Sequence, residues 1–236
     1  MSILISRRIF ICLAGSTLAA PTFSWTANEV PTLLDHILLG CSDLDRGIAF
    51  VEQRTGVRAA FGGVHPGRGT QNALLSLGLR RYLEIIAPDP KQSGAQQYPV
   101  INKLTEPRLI GWAAHPGDLQ SFAAKLAKAG VAAAGPTPGS RRQPDGRVLQ
   151  WKALTLKENA ASLLPFFIEW SADSIHPSAD SPKGCSLLRF EAASPDPEEL
   201  SKQVDLLGID LRIVKGDKLQ LRATIAGPKA QFTVTS

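Results

Sequence analysis

Leu119, Phe122, Ala123, Leu126 and Ala127 recur at intervals of three and four residues. That spacing lines one face of an α-helix. The run opens on Asp118 and closes on Gly130. An Asp at a helix start accepts amide hydrogens left unpaired in the first turn. A Gly just past the end takes the left-handed conformation that closes the helix. The same frame occurs twice more, from Asp43 to Gly56 and from Asp196 to Gly208. In the last copy Pro197 falls in the first turn, where its missing N–H removes nothing the helix uses.

An apolar strand-like run precedes each helix, in LLDHILLG, RLIGWAA and LLRFEAAS. Three more follow each helix. The pattern predicts strands over 57–61, 73–79 and 82–87, then over 131–134, 148–156 and 163–170, then over 210–214, 219–225 and 231–235. Asp145-Gly146 and Lys215-Gly216-Asp217 supply hairpin turns between them. The chain therefore reads as an α+β fold of three βαβββ units, each about 50 to 75 residues long. A pair of units is placed at 33–172, a linker at 173–184 and the third, shortest unit at 185–236.

Composition adds exclusions. With 236 residues, 44% hydrophobic and 20% charged, the chain is long and apolar enough to fold around a core without cross-links. Net charge is +5, and no basic stripe interleaves with aromatics, so nucleic acid is not an expected partner. Arg7 and Arg8 are the only charges in the first 28 residues, and an apolar run from Ile9 to Ala20 follows them. That run suits a signal peptide over 1–27 and is short for a membrane span. Ser6-Arg7-Arg8-Ile9-Phe10-Ile11 resembles the twin-arginine export pattern. Export to the periplasm or beyond is the expectation, with membrane contact only through the signal and cleavage after Ala19, Ala20, Ser24 or Ala27. Cys41 and Cys185 would remain; an oxidising compartment permits a bridge, and two small buried residues are the alternative.

LDHILLGCSDLDRGIAFVEQRTGV, HPGRGTQNALLSLGLRRYLEIIAPDP, SRRQPDGRVLQW and PFFIEW resemble the vicinal-oxygen-chelate superfamily in its glyoxalase-like branch, over Leu33 to Trp170. The resemblance implies two units curling their sheets into a cup. It also implies a metal held by the first and last strands of each unit. The matching positions are His36, Glu84 and Glu169, and the fourth falls on Gly111, which has no side chain to offer. Each of the three lies among apolar neighbours, where a lone carboxylate needs a partner or a proton. Convergence on a divalent cation would meet that need; Mn, Mg, Ni or Zn suits one imidazole and two carboxylates. Pairing of a strand Glu with Arg68 or Arg189 is the alternative, and a two-His iron site would require His65 or His115 to swing in.

Gly62 to Asn72, GGVHPGRGTQN, reads as a loop at the cup rim whose glycines let a small ligand approach the backbone. Arg68 suits a carboxylate, Thr70 and Asn72 add neutral hydrogen bonds, and His65 is a candidate acid or base beside Glu84 and Glu169. Arg142, in the second basic loop, is a further candidate for substrate binding; Trp112 and Trp151 line the cup or fill the core. The resemblance implies a metal-dependent lyase, isomerase or hydrolase acting on a small carbonyl- or carboxylate-bearing molecule. A small-molecule binding protein without turnover is the alternative. The third unit has Arg189 where His36 stands in the first, so it is expected to lack the chemistry. Its spare sheet either packs on the first two units or builds a homodimer.

Overall fold

The computed structural model describes residues 29–92, 98–159 and 163–236. The export segment and its cleavage sites lie outside the described residues. The first unit runs β1 (Leu34–Gly40), α1 (Leu44–Thr55), β2 (Ala60–His65), β3 (Thr70–Ser76) and β4 (Tyr82–Pro88). The second runs β5 (Arg108–Ala114), α2 (Leu119–Lys128), β6 (Ala133–Arg142), β7 (Val148–Leu156) and β8 (Phe166–Trp170). After a short helix α3 (Pro177–Asp180) come β9 (Ser186–Ser194), α4 (Pro197–Leu206), β10 (Arg212–Lys215), β11 (Gln220–Ala226) and β12 (Gln231–Thr235).

The helix signals act as the pattern implies. Asp43, Asp118 and Asp196 each accept the backbone N–H three residues on, at 2.8, 2.7 and 3.1 Å. Gly56, Gly130 and Gly208 all have positive φ. In α1 the buried face is Leu44, Ile48 and Val51, three and four residues apart, turned onto the sheet.

β1 to β8 form one curled sheet in the order β2-β3-β4-β1-β5-β8-β7-β6. Within each unit the first and last strands are parallel, and the two units join where β1 runs antiparallel to β5. The sheet curls until its outer strands meet. A Cβ on Gly63 of β2 would stand 2.5 Å from the Arg142 carbonyl oxygen of β6, so only glycine permits this approach. The concave face encloses a cavity of about 600 Å³, and the helices cover the convex face.

The third unit keeps the element order but pairs its strands differently, as β10-β9-β11-β12. Its first strand is central rather than at the joint with a partner unit. Its apolar face, with Phe190, Ala192, Leu221, Ala223 and Ile225, is continuous with the core of the first two units. Phe190 meets Trp112 edge-on at 5.2 Å, and Phe232 meets Phe50 of α1 at 6.1 Å. The spare sheet is thus covered within the chain. Cys41 and Cys185 are both buried and free. No helix among the described residues is long and apolar enough to cross a membrane.

Because Phe190 is fully buried across this junction, Phe190→Ala is expected to lower stability by about 3–5 kcal/mol. Trp112, Trp151 and Trp170 all lie in the second unit, so tryptophan fluorescence in urea, read in a Trp25→Phe background, reports the cup. A single transition moved to lower urea would show one shared core. A cup transition unmoved by the substitution would show that the third unit folds apart.

Candidate functional site

The floor of the cup is built at the joint of β1 and β5. Leu34 pairs with Ala114 and His36 with Ala113, so Asp35 is an extra residue, a bulge. Neighbours on a regular strand face opposite ways. The bulge lets Asp35 reach its own neighbour, its Oδ1 lying 2.7 Å from His36 Nδ1. Oδ2 accepts the Trp170 indole N–H at 3.1 Å and faces His176 Nε2 at 3.1 Å. His176 Nδ1 in turn accepts the Ser178 N–H, with the Ser178 hydroxyl 2.9 Å away. Burial alone would raise the Asp35 pKa, but the hydrogen bonds from His176 and His36 outweigh it and hold the carboxyl far below its usual range. With Nδ1 turned to Asp35, His36 presents Nε2 to the cup.

Glu84, on β4, receives that nitrogen. His36 Nε2 stands 3.5 Å from Oε2, and His65 Nε2 stands 3.5 Å from Oε1. Asn72 donates to Oε1 at 2.6 Å, and Thr70 Oγ1 lies 2.9 Å from His65 Nδ1, fixing the ring from behind. Burial pushes the Glu84 pKa up; His65, His36, Arg141 and the Asn72 bond together bring it below the usual value, so the carboxylate is charged. For His65 burial dominates and lowers its pKa to about 4, with the Glu84 charge opposing. The ring is neutral at pH 7. Tyr82 stacks on His36 at 4.5 Å.

The structure redistributes several expected roles. The stretch from Gly62 to Asn72 is not a free loop: Gly62 to His65 complete β2, Thr70 to Asn72 begin β3, and the turn at 66–69 forms the rim. Thr70 and Asn72 are fully buried and serve His65 and Glu84 rather than facing the cavity. Arg68, in the turn, lines the cavity and also an adjoining rim opening of about 820 Å³. Arg142 is exposed and donates to the Gly146 carbonyl of its own hairpin; its neighbour Arg141 is the inward one, 4% exposed. Trp112 is core, giving its indole N–H to the Leu163 carbonyl, whereas Trp151 lines the cup beside Trp170.

Glu169 is the clearest correction. Phe166, Ile168 and Trp170 of β8 line the cavity, so Glu169 falls on the other face. There it accepts the Leu119 N–H at 2.8 Å, at the positive end of α2, lies 3.5 Å from Lys152, and borders the rim opening that Arg68 also lines rather than the cavity. The position matching Glu84 is instead Phe166: Leu38 pairs with Glu84 in the first unit, and its counterpart Ala113 pairs with Phe166 in the second. Gly111, opposite in the repeat to His36, has open space where a side chain would stand. His115 is spent on the Ile168 carbonyl at 3.0 Å.

The set His36, Glu84 and Glu169 therefore does not converge on one point, and the second unit adds no ligand. His36 and His65 address different oxygens of Glu84, and no group of three His, Cys, Asp or Glu that could hold an ion is gathered among the described residues. The ligand set that the resemblance implies is therefore not assembled; the residues that meet Glu84 are His36 and His65, and Glu169 is not among them. Reading by residue type alone overlooks Asp35 and His176 and singles out Arg142 from a basic loop in which its neighbour Arg141 is the residue that faces the cup. Asp35 is visible as a charge in an apolar strand and Arg141 as a member of that loop; His176 carries no local signal.

A family model described as a glyoxalase-like domain matches residues 34–208. Among solved structures, a hypothetical protein from Staphylococcus aureus gives a TM-score of 0.61 at 19% identity, covering 85% of this chain and 84% of that chain. Its likeness is one of fold and reaches beyond the paired units. A methylmalonyl-CoA epimerase from Mycobacterium tuberculosis gives 0.42 at 20% identity, covering 63% of this chain and 92% of that chain. A hypothetical protein from Bacillus halodurans gives 0.43 at 16% identity, covering 60% of this chain and 95% of that chain. A search of curated proteins found no match.

The low His65 pKa has a consequence for the fold. An ordinary imidazole titrates at 6.5 and the folded His65 at about 4, so between these the unfolded chain binds a proton that the fold rejects. The stability contributed by the neutral ring is complete above pH 6.5 and is lost as pH falls toward 4, a change on the order of 3 kcal/mol. Urea midpoints at pH 7 and 4.5 test this. The wild type is expected to lose more stability than His65→Gln, and equal losses would remove His65 as the cause.

Proposed function

The chain belongs to the glyoxalase-like domain family of the vicinal-oxygen-chelate superfamily, and on that premise we propose that it is an enzyme that moves a proton on a small carbonyl- or carboxylate-bearing molecule held in the cup. The observation that carries this reading is Glu84, a charged, buried carboxylate flanked by two imidazole nitrogens at 3.5 Å. Asn72 occupies Oε1 at hydrogen-bond distance, which leaves Oε2, faced by His36 Nε2 at 3.5 Å, as the atom to accept a proton. In the proposed step Oε2 takes a proton from the carbon beside a carbonyl, giving a carboxylic acid on Glu84 and an enolate on the substrate. Return of that proton to the same carbon or a neighbouring one gives epimerisation or isomerisation. His36 and His65, both held from behind, fix the carboxylate and move protons at the developing oxyanion through Nε2. Curling of the sheet limits water on the enolate. Arg68 at the rim draws an anionic substrate inward.

Catalysis without a metal ligand set is the form of the reading that these residues support. Export remains part of the proposal, on the Arg7-Arg8 segment alone.

A second reading is a binding protein without turnover. One observation favours it: the second unit places Gly111 and Phe166 where the first has His36 and Glu84, so half of the cup has no acid–base group on its strands.

Exchange of α-hydrogens separates the two. Incubation of 2-oxo acids, 2-hydroxy ketones and acyl thioesters in D2O, followed by NMR, should reveal at least one substrate whose α-hydrogen exchanges with the wild type. Glu84→Gln keeps the shape and the Asn72 contact but removes the basic oxygen. It should slow exchange by about 10²- to 10⁴-fold. Thermal stabilisation by a member of the panel with no exchange would support the binding protein and overturn the enzyme.

A further inference from the structure

Arg141 is a cation where a cation is costly. It is 4% exposed, and its Nε is buried without a hydrogen-bond partner among the described residues. Arginines this deeply buried are almost always paired. Glu84 is the carboxylate whose charge Arg141 acts on, but it does so through space. Glu84 is already held by Asn72 and faced by two imidazoles.

The position of the side chain is set by the fold. Register on β6 opposes Arg141 to Leu149 and turns it inward, while Arg142 turns out to its own hairpin. The stem crosses Gly63 of β2, where an added Cβ would lie 3.3 Å from both Cγ and Cδ. The missing side chain at Gly63 is thus the room through which Arg141 enters the cup. Arg141 joins a cavity wall with Tyr82, Tyr98 and Trp151, in about 600 Å³ of space.

We propose that Arg141 is the anion-binding residue of the cup and that its ligand is a monoanionic carboxylate. A planar guanidinium matches a carboxylate through two parallel N–H···O bonds. Glu84, in the same cavity, disfavours a dianion such as a phosphate monoester. Resting on the reading of Glu84 as the base, the carboxylate on Arg141 would turn the substrate's reacting carbon toward Oε2. It would also offset the charge by which Arg141 lowers the pKa of Glu84, so the base would strengthen when substrate arrives.

The test pairs binding with stability. Titration calorimetry would use short 2-oxo acids, their neutral amides and inorganic phosphate, on the full chain and on Arg141→Met. Met keeps much of the stem and removes the charge. The wild type should bind at least one acid about tenfold or more tightly than its amide and than phosphate, and Arg141→Met should lose that preference. The melting temperature of Arg141→Met without ligand should stay close to the wild type's, because the buried Nε that no described residue satisfies is removed together with the through-space support that Arg141 gives Glu84. A fall of the size that deletion of a core ion pair produces would mean that Arg141 serves an internal contact, and would overturn the proposal. Equal affinity of Arg141→Met for the acids, tighter binding of phosphate, or no preference for acids in the wild type would do the same. Acid binding without α-hydrogen exchange would leave Arg141 as assigned and remove Glu84 as base. Exchange on neutral substrates that is unchanged in Arg141→Met would do the reverse.

Discussion

A carboxylate taken out of water loses several kcal/mol of hydration unless donors replace it, and the floor of this cup holds two, Asp35 and Glu84. Each is supplied differently. Asp35 is ringed by the Trp170 indole and two imidazoles, three close partners that engage both of its oxygens. Glu84 has one firm donor, Asn72, and two imidazole nitrogens at longer range. The difference assigns roles. A carboxylate engaged closely on both oxygens is scaffolding; one engaged closely on one oxygen retains a site. Asp35 fixes His36, and His36 then faces the open oxygen of Glu84, so the structural acid orients the chemical one through a single ring.

The two halves of the cup share a backbone plan and divide the labour. In the first unit β1, β2 and β4 bring His36, His65 and Glu84 together. In the second, the matching strand positions carry Gly111 and Phe166, which supply space and an apolar wall. What the second unit contributes by way of charge comes from β6, as Arg141, across the seam where the sheet edges meet. An arrangement symmetric in its strands therefore has one side with Glu84 and two imidazoles and another with Arg141, with the cavity between them; on the proposed reading these are the proton-moving and the charge-binding sides. A repeated fold permits this because the backbone geometry does not depend on which polar residue each inward position carries.

The helices were legible in the sequence because their signals are local: an Asp accepts an amide three residues away, and a Gly closes the turn. The paired βαβββ plan was legible because it repeats those signals. Inward and outward positions on the strands were harder. Glu169 and Arg142 each lie one residue from a position that faces the cup, and one residue on a strand is the whole difference between faces. Flanking apolar residues do not settle the matter when both faces of a strand are covered, as they are for β8. The stretch from Gly62 to Asn72 looked like a loop because its glycines suggest a turn. Gly63 is there for another reason, the close passage of β6, and that contact joins residues far apart in the chain. The pairing order of the third unit was hidden for the same reason, since sequence order fixes succession and not adjacency.

His176 shows how far the site extends beyond the paired units. It belongs to the stretch between β8 and β9 that reads as a linker. Yet it is buried between Tyr82 and Trp170 and supplies one of the three partners of Asp35. The linker is held in place on both sides: the Ser76 N–H donates to the Pro182 carbonyl, and Arg147 bridges to Asp180. Beyond it, β9 packs Phe190 onto Trp112, next to Gly111 in the cup wall. The third unit therefore anchors the far end of a segment whose near end completes the floor of the site. A match to the glyoxalase-like domain that continues to residue 208 fits this physical continuity. The unit that lacks a counterpart of His36 holds in place a residue on which the orientation of His36 depends.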